Sequence, residues 1–179
     1  MSASIFAERT DQCDMVEIRK ATEADIPLVR ELAGVVFPET YKEILSPEQV
    51  GYMMNWMYSV ESLHKQMAEE GHIYYLAFWD GVAVGYMSVQ PEGDAVFHLQ
   101  KLYVLHTHQG LHIGRLLFEH AIKVIKQLHP QPCQMRLNVN RANRALTFYE
   151  KMGMTKIDEG DFPIGNGYYM NDYIMGLTI

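Results

Sequence analysis

The sequence of 179 residues contains only two cysteines, Cys13 and Cys133. Two cysteines so far apart cannot supply the disulfide framework of a small secreted domain, and both are predicted to be free thiols in a reducing cytoplasm. No run of about 18 consecutive apolar residues occurs, so no transmembrane helix is predicted. A secretory signal peptide is not predicted either, because Glu8, Arg9 and Asp11 interrupt the N-terminus.

Positive charge is also scarce. The chain has 15 Lys and Arg against 22 Asp and Glu, a formal net charge of -7. This balance argues against general nucleic-acid binding, which uses a basic surface, and is compatible with a cationic ligand. There is no internal repeat, low-complexity tract or linker, and the length suits one domain. We therefore predict a flexible N-terminal extension over residues 1–15 and a single domain over residues 16–179.

The pattern of apolar residues predicts a mixed α/β domain. Thr22 and Ser46 are each predicted to cap the N-terminus of a helix. The helix after Thr22 is predicted to end at Phe37-Pro38, because a proline disfavours the helical conformation of the residue before it. Asp80-Gly81 between two apolar runs predicts a β-hairpin. Later strands are predicted at 96–104, 133–139, 155–161 and 168–177, with helices at 113–128 and 142–152. The predicted order is β-α-α-α-β-β-β-α-β-α-β-β.

The most informative stretch is residues 102–117, where an apolar strand runs through a polar turn into an amphipathic helix. The helix is entered through Gln109-Gly110-Leu111-His112-Ile113-Gly114. The first N–H groups of a helix have no intrahelical partner, and together with the helix dipole they suit a phosphate or pyrophosphate. Glycine spacing alone is equally consistent with an ordinary strand–turn–helix.

Two segments together resemble the signatures of the GNAT superfamily of N-acetyltransferases. Gln109 and Gly114 match the first and last positions of Q/R-x-x-G-x-G/A, whereas His112 stands where the family has glycine. Residues 143–153 resemble the second signature, N-x-(x)-A-x-x-F/L-Y-x-K-x-G-F. The resemblance covers about residues 16–179. It implies an α/β (α+β) GNAT fold with a mixed, mostly antiparallel central sheet of about seven strands flanked by helices.

The resemblance further implies direct transfer of an acetyl group from acetyl-CoA to a primary amine, without a metal. A glycine at position 112 would keep the loop slim against the pyrophosphate; the His112 ring would point outward or donate a hydrogen bond to a phosphate. The residues that the resemblance implies for acetyl-CoA binding are Leu102, Tyr103, Val104, Gln109, Gly110, Leu111, His112, Ile113, Gly114, Arg115, Asn143 and Lys151.

A metal site is not predicted, although His106, His108 and His112 are close together in the sequence. The segment has neither an H-E-x-x-H motif nor a cysteine partner to complete a ligand set.

Two side chains are candidates for proton transfer. The second signature places a tyrosine, here Tyr149, beside the cofactor sulfur. A phenol of pKa about 10 can protonate a thiolate whose thiol has a pKa near 8.5. Tyr149 also lies on an apolar stripe, which favours a position in the core. A core position and proton donation are compatible, with the ring buried and the hydroxyl reaching the sulfur. His98 lies near the position of the family's frequent glutamate and is a candidate base. The alternatives are Gln100, a water chain, and a purely structural His98.

A weaker resemblance, over residues 37–63 and 165–175, is to bacterial polyamine (spermidine/spermine) N-acetyltransferases. A polyamine site uses carboxylates for ammonium groups and aromatic faces for methylene chains. The candidate substrate residues are Glu39, Tyr41, Tyr52, Trp56, Asp161 and Asp172. Each is also plausible as a surface carboxylate or a core aromatic.

Several functional alternatives stay open at this point. The acceptor could be a protein N-terminus or lysine rather than a small amine. His112 and the absence of a carboxylate at positions 98 and 100 also leave open a non-catalytic domain that binds or senses acyl-CoA. No nucleic-acid or membrane partner is expected, and the sequence does not decide between a monomer and a homodimer.

Overall fold

A computed structural model describes residues 15–179, so Cys13 and the predicted N-terminal extension apart from Met15 lie outside the described residues. The strands are β1 Val16–Lys20, β2 Ile73–Trp79, β3 Val82–Gly93, β4 Val96–Val104, β5 Gln134–Asn140, β6 Thr155–Gly165 and β7 Tyr168–Thr178. The helices are α1 Ile26–Tyr41, α2 Pro47–Tyr58, α3 Val60–Ala68, α4 Ile113–Leu128 and α5 Ala145–Lys151. None of these helices is long and apolar enough to cross a membrane.

The strands form one seven-stranded sheet in the order β1-β2-β3-β4-β5-β7-β6. Neighbouring strands are antiparallel except for the parallel pair β4 and β5. The predicted element order and the predicted mixed, mostly antiparallel sheet are therefore confirmed.

The parallel pair is short, and the sheet opens beyond it. β4 and β5 are in register from Val96↔Gln134 to His98↔Arg136 and not further. Beyond this point β4 continues to pair with β3, and β5 with β7. The two central strands therefore diverge over Leu102–Val104 of β4 and the second half of β5, leaving an opening in the middle of the sheet.

Helices cover both faces of the sheet. The apolar stripe of α4, including Ile113, Leu117 and Ala121, packs on one face together with α5. On the other face, α1, α2 and α3 pack through a second apolar cluster that includes Val29, Phe37 and Leu63. The opening between β4 and β5 is thus bounded by α4 and α5 on one side and by α1 on the other.

The prediction that the first helix ends at Phe37-Pro38 is wrong, because α1 continues to Tyr41 with Pro38 inside it. A proline in a helix interior costs about 3 kcal/mol or more. Burial of Phe37 and Tyr41 on the same helix face offsets this cost; their ring centroids lie 4.5 Å apart. The extra turn brings Tyr41 to the sheet beside Tyr103 of β4.

Other element boundaries shift for local reasons. Ser46 caps α2 as predicted, its hydroxyl accepting a hydrogen bond from the Gln49 N–H at 3.1 Å. β3 runs through Pro91 to Gly93, where a register irregularity accommodates the missing N–H of the proline. The last helix begins at Ala145 rather than at residue 142, since Asn143 Oδ1 accepts the Ala145 N–H at 2.9 Å.

Candidate active site

The loop that leads from β4 into α4 takes an unusual backbone conformation at His112. This exposed residue has φ 61° and ψ 11°, the left-handed region. A side chain at such a position costs roughly 1–2 kcal/mol, which glycine avoids. The position therefore favours glycine for its backbone conformation, whereas the sequence analysis attributed the preference to the thickness of the loop.

The same loop offers a row of free backbone donors. Among the described residues, none accepts a hydrogen bond from the N–H groups of residues 110–115, and the first helical bond is Leu116 N–H to His112 O at 3.0 Å. The Gln109 side chain bonds back to Val104 O at 3.3 Å, which ties the loop to the end of β4. Donors of this kind at the positive end of a 16-residue helix fit an anionic phosphate.

Gly114, the last glycine of the loop, faces α5. A Cβ added there would lie 3.7 Å from the Phe148 ring, an ordinary van der Waals distance. The site thus has room for alanine, in agreement with the G/A alternative of the family signature. Two other predicted cofactor residues, Arg115 and Lys151, are exposed, and Arg115 Nε bonds Glu119 at 2.8 Å.

Tyr149 lies on α5 in the core between the sheet and α4. Its ring packs against Phe118 and Phe148, with centroid distances of 6.4 and 5.3 Å. Burial raises the pKa of the Tyr149 phenol, and Tyr41 raises it further. The phenol is therefore protonated at neutral pH, the form needed to donate a proton.

His98 lies at the closed end of the opening, in the last registered pair of β4 and β5. Its Nδ1 is 3.2 Å from Glu92 Oε1, and its side chain is largely buried. Burial lowers the pKa of His98, while Glu92 raises it and Arg136 lowers it. The imidazole is thus held by a carboxylate partner, and its role as a base stays a prediction.

Lys101 is a polar core residue that the sequence analysis did not single out. The register between β3 and β4 slips by one residue, with Val89 opposite Leu99 and Ser88 opposite Lys101. This bulge takes Lys101 out of simple alternation and turns it toward α3, where its ammonium donates to Gln66 Oε1 at 2.9 Å. A bulge cannot be read from the apolar pattern of a single strand.

The predicted substrate residues divide into separate groups. Glu39 lies at the surface and is paired with Lys42 at 2.7 Å, and Asp161 is paired with Arg141. Tyr52 and Trp56 stack with centroids 6.4 Å apart, and Trp56 is 48% exposed. Helix α2 thus buries Val50, Met53 and Tyr58 and leaves Trp56 at the surface.

The outer face of α2 is joined to the hairpin of β6 and β7. The Tyr52 hydroxyl donates to Ile164 O at 2.8 Å. Gln49 Nε2 donates to Tyr169 O, also at 2.8 Å. Together these residues form an aromatic wall, made of Tyr52, Trp56 and the hairpin, beside the sheet face that α1 covers.

Tyr41 and Asp172 lie deeper, on that same face. The Tyr41 and Tyr103 hydroxyls are 3.4 Å apart. Asp172 of β7 is only 6% exposed, and its Oδ1 is buried and accepts no hydrogen bond from a described residue. Its Oδ2 accepts one long bond, from Asn138 Nδ2 at 3.3 Å. Burial raises the pKa of Asp172, against the lowering effects of Asn138 and Arg141.

Two asparagines of β5 belong to this site and were missed by the sequence analysis. Asn138 contacts Asp172, and Asn140 is opposite Asp172 in the β5–β7 register. The available signal was the alternation of β5, whose apolar residues face α4 while Arg136, Asn138 and Asn140 face the other side. Within residues 15–179, no group of three His, Cys, Asp or Glu side chains could hold a metal ion.

Comparisons with known proteins agree with this geometry. Residues 41–167 match the family model of the acetyltransferase (GNAT) domain. The spermidine N(1)-acetyltransferase of Thermoplasma acidophilum is 27% identical over 151 residues, covering 82% of this chain and 91% of that protein. The PaiA N-acetyltransferase of Thermoplasma acidophilum, solved with coenzyme A, superposes with a TM-score of 0.76 at 25% identity, covering 92% of this chain and 99% of its own.

A more distant solved structure shows the fold alone. The ribosomal-protein-S18-alanine N-acetyltransferase of Escherichia coli has a TM-score of 0.69 at 17% identity, with 92% of this chain and 94% of that chain covered. The match over residues 41–167 spans most of the sheet and the whole β4–α4 loop. The resemblance read from the two signatures is thereby confirmed, and the chain belongs to the GNAT family of N-acetyltransferases, enzymes that use acetyl-CoA.

Proposed function

We propose that this protein transfers the acetyl group of acetyl-CoA to a primary amine of a small cationic molecule, with polyamines as the first candidates. The observation that carries the proposal is the buried carboxylate of Asp172, which has an oxygen without a partner among the described residues. Such an oxygen is costly to leave unpaired. An ammonium or amine nitrogen is a ligand that would satisfy it.

Acetyl-CoA fits the opening between β4 and β5. The free N–H groups of residues 110–115 suit its pyrophosphate, and the diverging edge of β4 at Leu102–Val104 suits its pantetheine amides. Bound there, acetyl-CoA supplies an activated thioester. Tyr149 lies on α5, one of the helices that bound the same opening, and we assign to it the protonation of the departing sulfur.

The polyamine assignment rests on chemistry and on similarity. Tyr41 and the aromatic wall formed by Tyr52, Trp56 and the β6–β7 hairpin offer ring faces to a methylene chain and its ammonium groups. The chain is also similar to a protein named spermidine N(1)-acetyltransferase over 82% of its length. Glu39, two residues before Tyr41 on α1, is a further carboxylate of the candidate set and lies at the surface in a pair with Lys42.

The experiment is an amine panel with acetyl-CoA, followed by detection of free thiol and of the acetylated product. The panel contains spermidine, spermine, a monoamine of similar length, free lysine and short peptides with free N-termini. We expect the polyamines to give the highest kcat/KM, because they carry a second cation. Highest activity on the peptides would instead assign the enzyme to protein N-termini.

Thermal melts with and without acetyl-CoA test the cofactor half of the proposal. A ligand at a hundred times its Kd adds about 2.7 kcal/mol to the free energy of unfolding, which corresponds to a rise of several degrees. No rise at millimolar acetyl-CoA would contradict the cofactor assignment. A rise without turnover of any amine would favour the acyl-CoA sensor.

A further inference from the structure

We propose that Asp172 is a catalytic base, the group that removes the proton from the acceptor ammonium before the nitrogen attacks the thioester. This inference rests on the proposed function. It assigns to β7 a task that the sequence analysis gave to His98 of β4.

A base is needed because the acceptor is charged in solution. An alkyl amine with a pKa near 10.4 is more than 99.9% protonated at pH 7, and the ammonium has no lone pair with which to attack a carbonyl. Burial of an ammonium beside a carboxylate brings the two pKa values together, since desolvation disfavours both charged forms. Transfer of the proton from nitrogen to oxygen then becomes accessible.

The position of Asp172 suits this task. It lies opposite Asn140 of β5, beyond the point where β4 and β5 separate, and therefore one strand away from the opening proposed for the thioester. The buried polar side chains within residues 15–179 are Gln66, Ser88, Lys101, Asn140 and Asp172. Asp172 is the one carboxylate in this set, and its Oδ1 is free to accept a proton.

The surroundings of Asp172 leave its carboxylate available. The titratable groups that act on it are Tyr41 from α1 and Arg141 from the segment after β5. Arg141 is already paired with Asp161, and the register partner of Asp172 on β6 is Gly160, which has no charge. Burial raises the pKa of Asp172 above the ordinary aspartate value, which moves it toward the range of an effective base.

The other candidates for this task are engaged elsewhere. His98 Nδ1 lies 3.2 Å from Glu92, and the residue sits at the closed end of the β4–β5 pair, beside Arg136. Lys101 donates to Gln66 beneath α3. In the hydrogen bonds and ion pairs of the described residues, neither side chain has Asp172 or its partner Asn138 as a partner.

Two protons leave the acceptor nitrogen, one to Asp172 and one to Tyr149. The acceptor R–NH3⁺ gives one proton to Asp172 Oδ1 and becomes R–NH2. The nitrogen attacks the carbonyl carbon, the C–N bond forms and the C–S bond breaks, and the sulfur leaves as a thiolate that Tyr149 protonates. The second proton of the attacking nitrogen restores the Tyr149 phenol, directly or through water. Asp172 releases its proton to solvent, so the net products are the acetamide, the free thiol and one proton.

The test compares kcat and acceptor KM for the wild type, Asp172→Asn and Asp172→Glu between pH 6.5 and 9.5, on the best amine of the panel. The matched control is Asp158→Asn, the same replacement at an exposed carboxylate on β6. We expect Asp172→Asn to lower kcat at pH 7 by about 100-fold or more. The loss should shrink as pH rises, because the free-amine fraction grows tenfold per pH unit. Asp172→Glu should recover part of the rate, and Asp158→Asn should match the wild type.

Melting temperature and the KM for acetyl-CoA separate this role from a structural one. Both should be nearly unchanged in Asp172→Asn if the lost function is proton transfer. If Asp172→Asn does not fold, the dependence of kcat on pH in Asp172→Glu tests the role of Asp172. A displaced base must lower kcat and change the low-pH limb of that dependence.

Two results would overturn the inference while leaving the proposed function intact. One is a kcat of Asp172→Asn within about threefold of an active wild type at pH 7. The other is a pH-independent loss confined to acceptor KM, which would make Asp172 a binding residue only. A wild type that acetylates no amine would refute the proposed function, and this inference with it.

Discussion

Replacement of Lys101 by methionine should stabilise the protein in a pH-dependent way. Lys101 is 6% exposed, and burial lowers the pKa of its ammonium to about 7, with Glu70 acting in the opposite direction. Its ammonium donates to Gln66 and lies 5.6 and 5.4 Å from the ring centroids of Tyr58 and Tyr74. Methionine fills a similar volume without a charge. Gln66 Oε1 would keep the hydrogen bond that the Tyr74 hydroxyl donates.

The magnitude follows from the two protonation states. The unfolded chain holds the lysine proton up to about pH 10.5, whereas the folded protein releases it near pH 7. Between these values the unfolded state binds more protons, so the stability of the wild type rises with pH by up to about 1.4 kcal/mol per unit. Below pH 7 both states are protonated, and the penalty for burying the charge is complete and constant. From pH 7.5 to 9.5 the stability difference between Lys101→Met and the wild type should therefore shrink by about 2–3 kcal/mol.

The assay is urea unfolding of both proteins at pH 6, 7.5 and 9.5. Lys101→Met should be at least as stable as the wild type at pH 6 and 7.5 and should lose most of its advantage by pH 9.5. The control is Lys42→Met, which removes an exposed lysine whose pKa Glu39 raises, so its effect should be constant over this range. A Lys101→Met difference that is constant within about 0.5 kcal/mol would refute the reasoning. It would show that Gln66 and the two rings keep Lys101 charged.

Three further substitutions test separate parts of the structure. Tyr149→Phe should lower kcat at least about tenfold, with less loss for thioesters of more acidic thiols and no change in melting temperature; an unchanged kcat would remove Tyr149 from the mechanism. His112→Gly should change the free energy of unfolding by less than about 1 kcal/mol, because strain relief and glycine entropy oppose each other. Its KM for acetyl-CoA should be unchanged or lower, and a large rise would mean that the imidazole contacts a phosphate. Ser46→Ala should lower the free energy of unfolding in urea by about 1 kcal/mol, because the hydrogen bond from the Gln49 N–H is lost. An unchanged free energy of unfolding would mean that water replaces the Ser46 hydroxyl as acceptor.

Local sequence signals predicted most of the fold because the periodicities are strong. The Asp-Gly turn between β2 and β3 and the apolar stripe of α4 both agree with the structure. The Ser46 cap has the same character, since a cap needs only residues close in sequence. Features determined within about one turn or one hairpin can be read without knowledge of the tertiary contacts.

The features that the sequence did not predict depend on tertiary contacts. Pro38 normally ends a helix, yet packing of Phe37 and Tyr41 on the sheet extends α1 by another turn. The bulge that turns Lys101 toward α3 is a property of the β3–β4 pair, not of β4 alone. Asp172 was one of several acidic candidates in the sequence, and only its burial with an unpaired Oδ1 distinguishes it from the ion-paired Glu39.

The opening between β4 and β5 accounts for the arrangement of the two groups proposed to move protons. Tyr149 belongs to the face of the sheet covered by α4 and α5, whereas Asp172, beside Asn138, faces the α1 side. In a continuous sheet, hydrogen-bonded backbone would separate them. Because β4 and β5 stop pairing after His98 and Arg136, a thioester in the opening is accessible from both faces. An acid and a base side by side on one face would hydrogen-bond to each other. On opposite faces, Asp172 is available to the attacking nitrogen and Tyr149 to the leaving sulfur.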